Sequence, residues 1–408
     1  MNYNVAANSL RFAQNLSSMS DPSPTYCNEA WRTIHYSDTA TMGPCCTFRG
    51  GRDPELRTVE QYWNSDWLAD VRAKMLAGER IPGCRNCYKK EDRGEHSQRT
   101  EKNSRHGFVT VPEIKELGVS FGNICNKSCN ICRPQRSHLL AKEYRLIPIE
   151  NIWMQHKLSL QAGTLRALDK QYSSVYAASL PDYMQALDHA DTIVLDGGEP
   201  FIVAQCTEML EYMIERGMTN KEIKVSTNGS ATQHQLDLLS NFRQVSFHLS
   251  IDGVHDLYGV VRPPHDWDWW NQQHDMMINH KAVITYACVA HALNVHQLPE
   301  ILDYFVQQQQ RKPNSLIFFS QLNDQVELGC DVVPDHVILN TIQELQQRLP
   351  ALSDVNRPTV QKLIVHLQRS QQINIDNNKR MFAEYIKTFA PIKQIDFQSH
   401  IPWSLNFE

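Results

Sequence analysis

Three thiols in one short loop are the residues of this chain best suited to chemistry. They stand in Phe121-Gly-Asn-Ile-Cys125-Asn-Lys-Ser-Cys129-Asn-Ile-Cys132. This spacing can hold three irons of a cubane cluster and leave the fourth iron without a protein ligand. Thiolates are the usual protein ligands of iron-sulfur clusters, and a four-iron cluster with every corner capped moves electrons. One with a vacant corner can bind and activate a small molecule, so the spacing predicts an enzyme. The loop brings no neighbouring fourth cysteine or histidine, which makes a closed tetrahedral zinc site the poorer reading.

Five further thiols lie upstream: Cys27, the pair Cys45 and Cys46, and the pair in Cys84-Arg-Asn-Cys87. The Cys-x-x-Cys hairpin places two thiols within reach of one metal centre, and Gly83 before it lets the backbone turn tightly. Cys27 and one of the adjacent pair would complete a set of four. Zinc ribbons use the same hairpin spacing, so zinc is the alternative occupant here. Cys206, Cys288 and Cys330 stand alone in apolar or loop sequence and read as small buried hydrophobes.

The elements that must position these thiols follow from length and pattern. A chain of 408 residues with 41% hydrophobic and 21% charged residues is long enough for a large barrel with appended segments. Its formal charge of -5 gives no basic field, which argues against a duplex-binding protein and against nucleic acid as a partner. The start carries no basic, apolar secretory pattern, and no run of 18 apolar residues occurs anywhere, so neither signal nor membrane span is expected. The expected address is cytoplasmic, and thiols there are metal ligands or reduced side chains rather than disulfides.

Residues 1–26 read as a loose arm. Residues 27–110 read as a small cysteine-rich, metal-dependent module with one helix-like stripe, Val59 to Leu76. Beyond it, short apolar runs predict strands at Glu116–Phe121, Thr192–Leu195, Ile223–Ser226, Val245–Ile251, Val283–Ala290 and Leu316–Gln321. Between them Cys206–Arg216, His234–Phe242, Trp269–Asn279 and Pro299–Gln309 read as helices. This alternation implies right-handed βαβ units and a parallel sheet. The fold class is therefore α/β: a partial (β/α)6 TIM barrel over 111–330, with the cysteine-rich module before it and a C-terminal helical extension over 331–408. An insertion over 147–188 holds helical pieces at Leu165–Lys170 and Tyr183–Leu187. Extension helices are expected at His336–Arg348, Val360–Gln368 and Lys379–Phe389. In such barrels chemistry gathers at the C-terminal ends of the strands, where the cysteine loop falls.

Further motifs recur in order at those strand ends: Asp196-Gly197-Gly198-Glu199-Pro200, Ser226-Thr227-Asn228-Gly229, Ser250-Ile251-Asp252-Gly253 and Val261-Arg262-Pro263-Pro264. Together with the cysteine loop they resemble the radical S-adenosylmethionine superfamily over about residues 114–325. The resemblance implies a [4Fe-4S] cluster with an open coordination site on Cys125, Cys129 and Cys132. It implies S-adenosylmethionine bound by the turn Gly197, Gly198, Glu199 and Pro200, by Ser226, Asn228, Ser250 and Asp252, and by Arg262 facing the methionine carboxylate. Glycines in the turn would admit the ligand. The chemistry implied is reductive cleavage of S-adenosylmethionine to a 5′-deoxyadenosyl radical that takes a hydrogen atom from the substrate. Ile131 stands where the family usually carries an aromatic residue.

The upstream cysteines resemble the SPASM and twitch modules, closest to twitch, although those modules usually follow the barrel. The resemblance favours Cys27, Cys45, Cys84 and Cys87 as ligands of an auxiliary [4Fe-4S] cluster, because Cys45 follows a Gly-x step. The implied partners are an electron donor such as flavodoxin or ferredoxin and a substrate. Arg262 and the paired cysteine sets favour a peptide or protein side chain as substrate. A nucleotide, sugar or small metabolite is the second enzymatic reading, and a non-catalytic iron-sulfur or zinc scaffold the alternative of another class. The basic stretch from Arg85 to His106 reads as a solvated link, and Trp267, Trp269 and Trp270 as helix packing.

Overall fold

The computed structural model describes residues 23–36, 41–49, 58–94, 96–160, 186–322, 325–371, 376–401 and 403. Most of the arm, and the insertion helix at Leu165–Lys170, lie outside them. Of the second insertion helix only Ala186 and Leu187 are described, both helical and buried. Among the described residues no helix is long and apolar enough to cross a membrane.

Among the described residues there are eight strands: β1 (Thr33–Tyr36), β2 (Met42–Gly43), β3 (Glu116–Ser120), β4 (Thr192–Asp196), β5 (Glu222–Thr227), β6 (Gln244–Ser250), β7 (Val283–Ala290) and β8 (Leu316–Gln321). They follow the order β2-β1-β3-β4-β5-β6-β7-β8 in an open sheet. The six strands expected from sequence are β3 to β8. The two additional ones come from the cysteine-rich segment. β1 pairs in parallel with β3, Thr33 opposite Glu116 and Tyr36 opposite Val119, and β2 pairs antiparallel with β1. Thr-Ile-His-Tyr alternates polar and apolar residues but is only four residues long, too short for the alternation to stand out; in the fold all four are buried.

The chain divides into two units: one runs to Ser120 and includes the stretch ending at Val194, and the other holds the rest. In the first, the expected single helix splits into Val59–Trp63 and Asp66–Leu76. Ser65 causes the break: its hydroxyl accepts the Leu68 N–H at 3.1 Å and starts a new helix. The basic stretch is solvated at Arg85, Lys89, Arg93, Arg105 and His106, but it is not an irregular link. Its residues form the helices Arg85–Glu91 and Gln98–His106, with Arg99 buried against Glu91 and the Tyr26 carbonyl. Lys102 lies between Glu29 at 3.4 Å and Glu116 at 3.1 Å. Gly118 has a local packing reason, since a Cβ there would stand 2.3 Å from the His35 ring.

In the second unit β5 to β8 pair in parallel. β7 is typical: Ile284, Tyr286, Cys288 and Ala290 are fully buried while the residues between them are half-buried. The helices Ala204–Glu215, Gln233–Leu239, Trp267–Ile278 and Leu298–Arg311 follow β4, β5, β6 and β7. Extension helices span Asp335–Arg348, Arg357–Ser370 and Asp376–Lys393. They also cover the edge of β8, whose Ile317 N–H donates to Asn356 Oδ1 at 3.0 Å and whose Phe319 N–H donates to Thr359 Oγ1 at 3.3 Å. A covered edge is protected from pairing with other chains. Cys206, Cys288 and Cys330 are buried packing thiols.

One buried histidine couples this core to pH. His274 is 1% exposed, stacks on Trp270 at 4.8 Å, and its Nε2 lies 2.6 Å from the Tyr286 hydroxyl. Burial, helped by the Arg311 charge, pushes its pKa down to about 4. The folded chain therefore holds His274 neutral while the unfolded chain takes up a proton near pH 6.5. Stability from this residue is present above pH 6.5 and is lost as pH falls toward 4, a loss on the order of 3 kcal/mol. Thermal melts at pH 7 and pH 4.5 should show a smaller decline for His274→Phe than for the parent; equal declines would remove His274 from the pH response.

Candidate active site

The cysteine loop leaves β3 at Phe121, and each of its turns is held by an element from elsewhere in the second unit. The Phe121 N–H donates to the Asp196 carbonyl at 3.2 Å, at the end of β4. Asn123 O accepts the His138 N–H at 2.8 Å, and the Cys125 N–H donates to His138 Nδ1 at 3.2 Å. The Ser128 N–H donates to Pro263 O at 2.8 Å and the Asn130 N–H to Val261 O at 2.9 Å. From the C-terminal extension, the Tyr385 hydroxyl reaches Asn130 Oδ1 at 2.6 Å and Lys393 Nζ reaches Ser128 O at 2.6 Å. Nothing in the local sequence announced these two residues, because their partners lie more than 200 positions away.

The three thiols are enclosed. Cys125 and Cys129 are each 7% exposed and Cys132 is half-buried. Burial, then the neighbouring thiols, pushes Cys125 well up, and burial followed by Cys129 pushes Cys132 up to about 11. Thiols in that state ionise only when a cation compensates them, which is what ligation provides.

The glycine-rich turn after β4 lies against this loop. The Gly198 N–H donates to Gly122 O and the Glu199 N–H to Ile124 O, both at 2.8 Å. Gly197 has φ +131°, a conformation that favours glycine. A Cβ on Gly198 would stand 2.1 Å from the Ile124 carbonyl oxygen. The glycine expected to admit a ligand is thus required by the approach of the cysteine loop itself. Gly198→Ala should lower iron uptake on reconstitution and reduce the melting temperature, since backbone rather than a mobile side chain stands in the way. An alanine variant with parental iron content and stability would refute this reading.

Glu199 is 1% exposed and accepts from the Phe201 N–H at 3.2 Å, the Thr227 hydroxyl at 2.7 Å and the Asn228 N–H at 2.6 Å. Burial raises its pKa to about 6, against the pull of those donors. Thr227, part of the motif but without an expected ligand role, holds this carboxylate, whereas Ser226 is exposed. The alternation of β5 explains the exchange, because adjacent residues point to opposite faces. Asn228 Nδ2 donates to Asn126 Oδ1 at 2.8 Å and lies 3.8 Å from Cys125 Sγ, while Asn126 Nδ2 donates to Ser230 Oγ at 2.8 Å. Pro200 is buried and Ser250 half-buried.

Asp252 and Arg262 form a buried ion pair, 1% and 7% exposed. The other Asp252 oxygen accepts the Val289 N–H at 2.7 Å, and its backbone carbonyl accepts from Asn294 Nδ2 at 2.9 Å. Asp252 therefore orients the guanidinium, whose Nε is buried without an acceptor among the described residues. Lys127 is fully buried, its ammonium 4.0 Å from the Trp269 ring centre and 4.9 Å from that of Tyr258. Trp269 is thus more than helix packing. Trp267 and Trp270 do pack, with ring centres 5.0 Å apart.

In the first unit Cys27, Cys45, Cys84 and Cys87 line one cavity together with Phe48 and Arg99. Cys46 is not among the lining residues, and its sulfur lies 3.6 Å from the amide nitrogen of Gln98, which is. Burial, then the adjacent thiols, pushes Cys45 and Cys84 up to about 12. Gly83 is needed for a reason other than turning: a Cβ would stand 2.2 Å from the Phe48 ring that closes the cavity. Among the described residues, no three His, Cys, Asp or Glu side chains converge closely enough to grip a single ion.

A family model described as the radical SAM superfamily matches residues 119–305. Among solved structures, SuiB of Streptococcus suis bound to S-adenosylmethionine is 12% identical, with a TM-score of 0.34, over 61% of this chain and 48% of that one. Native anSMEcpe with bound AdoMet and Cp18Cys peptide is 14% identical, with a TM-score of 0.36, over 58% and 60%. TYW1 with a lysine-pyruvate adduct is 15% identical, with a TM-score of 0.31, over 69% and 89%. The chain spans about half the length of SuiB and three fifths of anSMEcpe. No curated protein matches. The superfamily implies S-adenosylmethionine and a [4Fe-4S] cluster, and the enclosed thiols of Cys125, Cys129 and Cys132 have the donor chemistry for the latter. Residues 119–305, which hold that loop and the turns bonded to it, match the radical SAM superfamily.

Proposed function

We propose that this enzyme acts on a peptide or protein side chain, with Cys125, Cys129 and Cys132 holding the open cluster and Cys27, Cys45, Cys84 and Cys87 holding an auxiliary one. When bound, the open cluster and S-adenosylmethionine supply the one-electron chemistry that generates a carbon radical. The chain's own residues do the rest. Gly197, Gly198, Glu199 and Pro200 form the wall that receives the methionine amino group, with Glu199 as acceptor. Asn228, with Ser226, Ser250 and Asp252 nearby in sequence, serves the ribose and carboxylate side. Arg262, aimed by Asp252, takes the carboxylate, a task suited to a planar guanidinium. A flavodoxin or ferredoxin supplies the electron.

The observation that carries this reading is the hydrogen bonding of the Cys125–Cys132 loop to the turns after β4 and β5 and to the Val261–Pro263 segment. Three motifs distant in sequence thereby enclose one set of thiols. The peptide assignment rests on Arg262 and on the second cysteine set.

The test is anaerobic reconstitution with iron and sulfide, then reduction in the presence of S-adenosylmethionine. Release of 5′-deoxyadenosine with about seven to eight irons per chain supports both clusters. Roughly four irons and one zinc would remove the auxiliary cluster and leave the first. Stimulation of 5′-deoxyadenosine release by a peptide pool, but not by nucleotides or sugars, supports the substrate class. The opposite pattern would overturn it.

A further inference from the structure

Lys127 sits between Cys125 and Cys129 in the cysteine loop, 0% exposed, with no hydrogen-bond acceptor for its ammonium among the described residues. Its visible partners are the faces of Trp269 and Tyr258 at 4.0 and 4.9 Å, and Trp269 is backed by His265 at 4.1 Å. A desolvated cation over an aromatic face gains about 2 kcal/mol, whereas burying an ammonium costs several kcal/mol. Two rings alone therefore do not compensate this charge. Arg262 lies in the same enclosure, and its guanidinium is already engaged by Asp252, so Lys127 draws no relief from that carboxylate. The anionic groups near it are Cys129 and Cys125, whose thiolates the loop would present on holding a cluster, and then Glu199, whose carboxylate already accepts from Phe201, Thr227 and Asn228.

We propose that Lys127 is a positioning residue for the open cluster. Its ammonium, pressed into place by Trp269 and Tyr258, supplies positive charge beside the cluster and raises the cluster's reduction potential toward that of the electron donor. Net charge and hydrogen bonds to sulfur are established determinants of cluster potentials. The inference rests on the reading that Cys125, Cys129 and Cys132 hold that cluster.

Full-length reconstituted protein, titrated anaerobically and followed by electron paramagnetic resonance, tests both statements separately. A parent chain that takes up iron but shows no reducible cluster assignable to Cys125, Cys129 and Cys132 defeats the underlying reading. With that signal present, the midpoint potential should move downward in Lys127→Met and in Lys127→Gln and return in Lys127→Arg, all without S-adenosylmethionine. An unchanged midpoint in Lys127→Met at full iron content overturns the inference. So does a shift seen only when S-adenosylmethionine is present, which would assign Lys127 to the ligand's carboxylate. Loss of iron in Lys127→Arg as well as in the uncharged variants overturns it too, because shape and not charge would then be what the loop requires.

Discussion

Cys129→Ala should reduce 5′-deoxyadenosine formation to the level of a protein-free control and remove about four irons per chain, half of the total if the proposed auxiliary cluster is present. Cys129 is the middle of three enclosed thiols, and its loop has no spare donor: Cys206, Cys288 and Cys330 are buried as packing residues in the same unit. Two thiolates do not retain a cubane that three held, so the expected effect is loss and not attenuation. The four upstream thiols line a separate cavity in the other unit, and their iron should remain. Measured iron, visible absorption and product yield on the same preparation decide the matter. A parental rate in Cys129→Ala would mean that the radical chemistry does not depend on this loop.

The second large effect is on stability. Asp252→Ala should cost about 3 to 5 kcal/mol, because it leaves the Arg262 guanidinium buried without its anion. For a domain of this size that corresponds to a melting temperature lower by about 10 °C. Asp252 also accepts the Val289 N–H at 2.7 Å, so its loss leaves a β7 backbone donor without its acceptor. The double variant Asp252→Ala with Arg262→Met should recover part of the loss, since no orphan charge then remains. Thermal melts of the three proteins check this. A melting temperature unchanged within about 1 °C in Asp252→Ala would show that water or another group already serves Arg262.

These two expectations stand on different kinds of legibility. Cys125, Cys129 and Cys132 could be read directly, because ligand spacing is a local property and a loop carries it without help from the rest of the chain. The strands β3 to β8 were readable for a related reason: their apolar runs are bounded by Gly, Asn, Asp or Pro, and helices of regular period separate them. β1 was not, because its alternation runs for only four residues and its partner strand β3 lies some eighty positions further on. Ser226 and Thr227 show the same limit at the level of one residue. The motif pointed to both, and the direction of each side chain was set by the register of β5 with β6, Thr227 opposite Leu249.

The glycines carry a similar lesson. Gly83 and Gly198 were recognisable as special, yet the expected reasons were a turn and a ligand. The contacts instead are the Phe48 ring and the Ile124 carbonyl, neither of which a linear reading can place. The difference in placement between Cys45 and Cys46 also needed the fold, since adjacent residues differ only in which way the chain turns them: Cys45 lines the cavity and Cys46 touches Gln98 at its wall.

By itself the sequence determined the chemistry of the donors: three thiols spaced for an open cluster, a glycine-rich turn, an arginine, and the alternation of strand and helix that brings them to one end of a sheet. Spacing and periodicity are short-range properties that survive without coordinates. Tertiary structure decided which groups hold those donors in place: Thr227 on Glu199, Asp252 on Arg262, Tyr385 and Lys393 on the loop, and the rings that press Lys127 among the cysteines. Each of these depends on residues far apart in the chain meeting in a water-poor interior, where a hydrogen bond or a charge gains its strength from burial, and burial is a property of the folded chain alone.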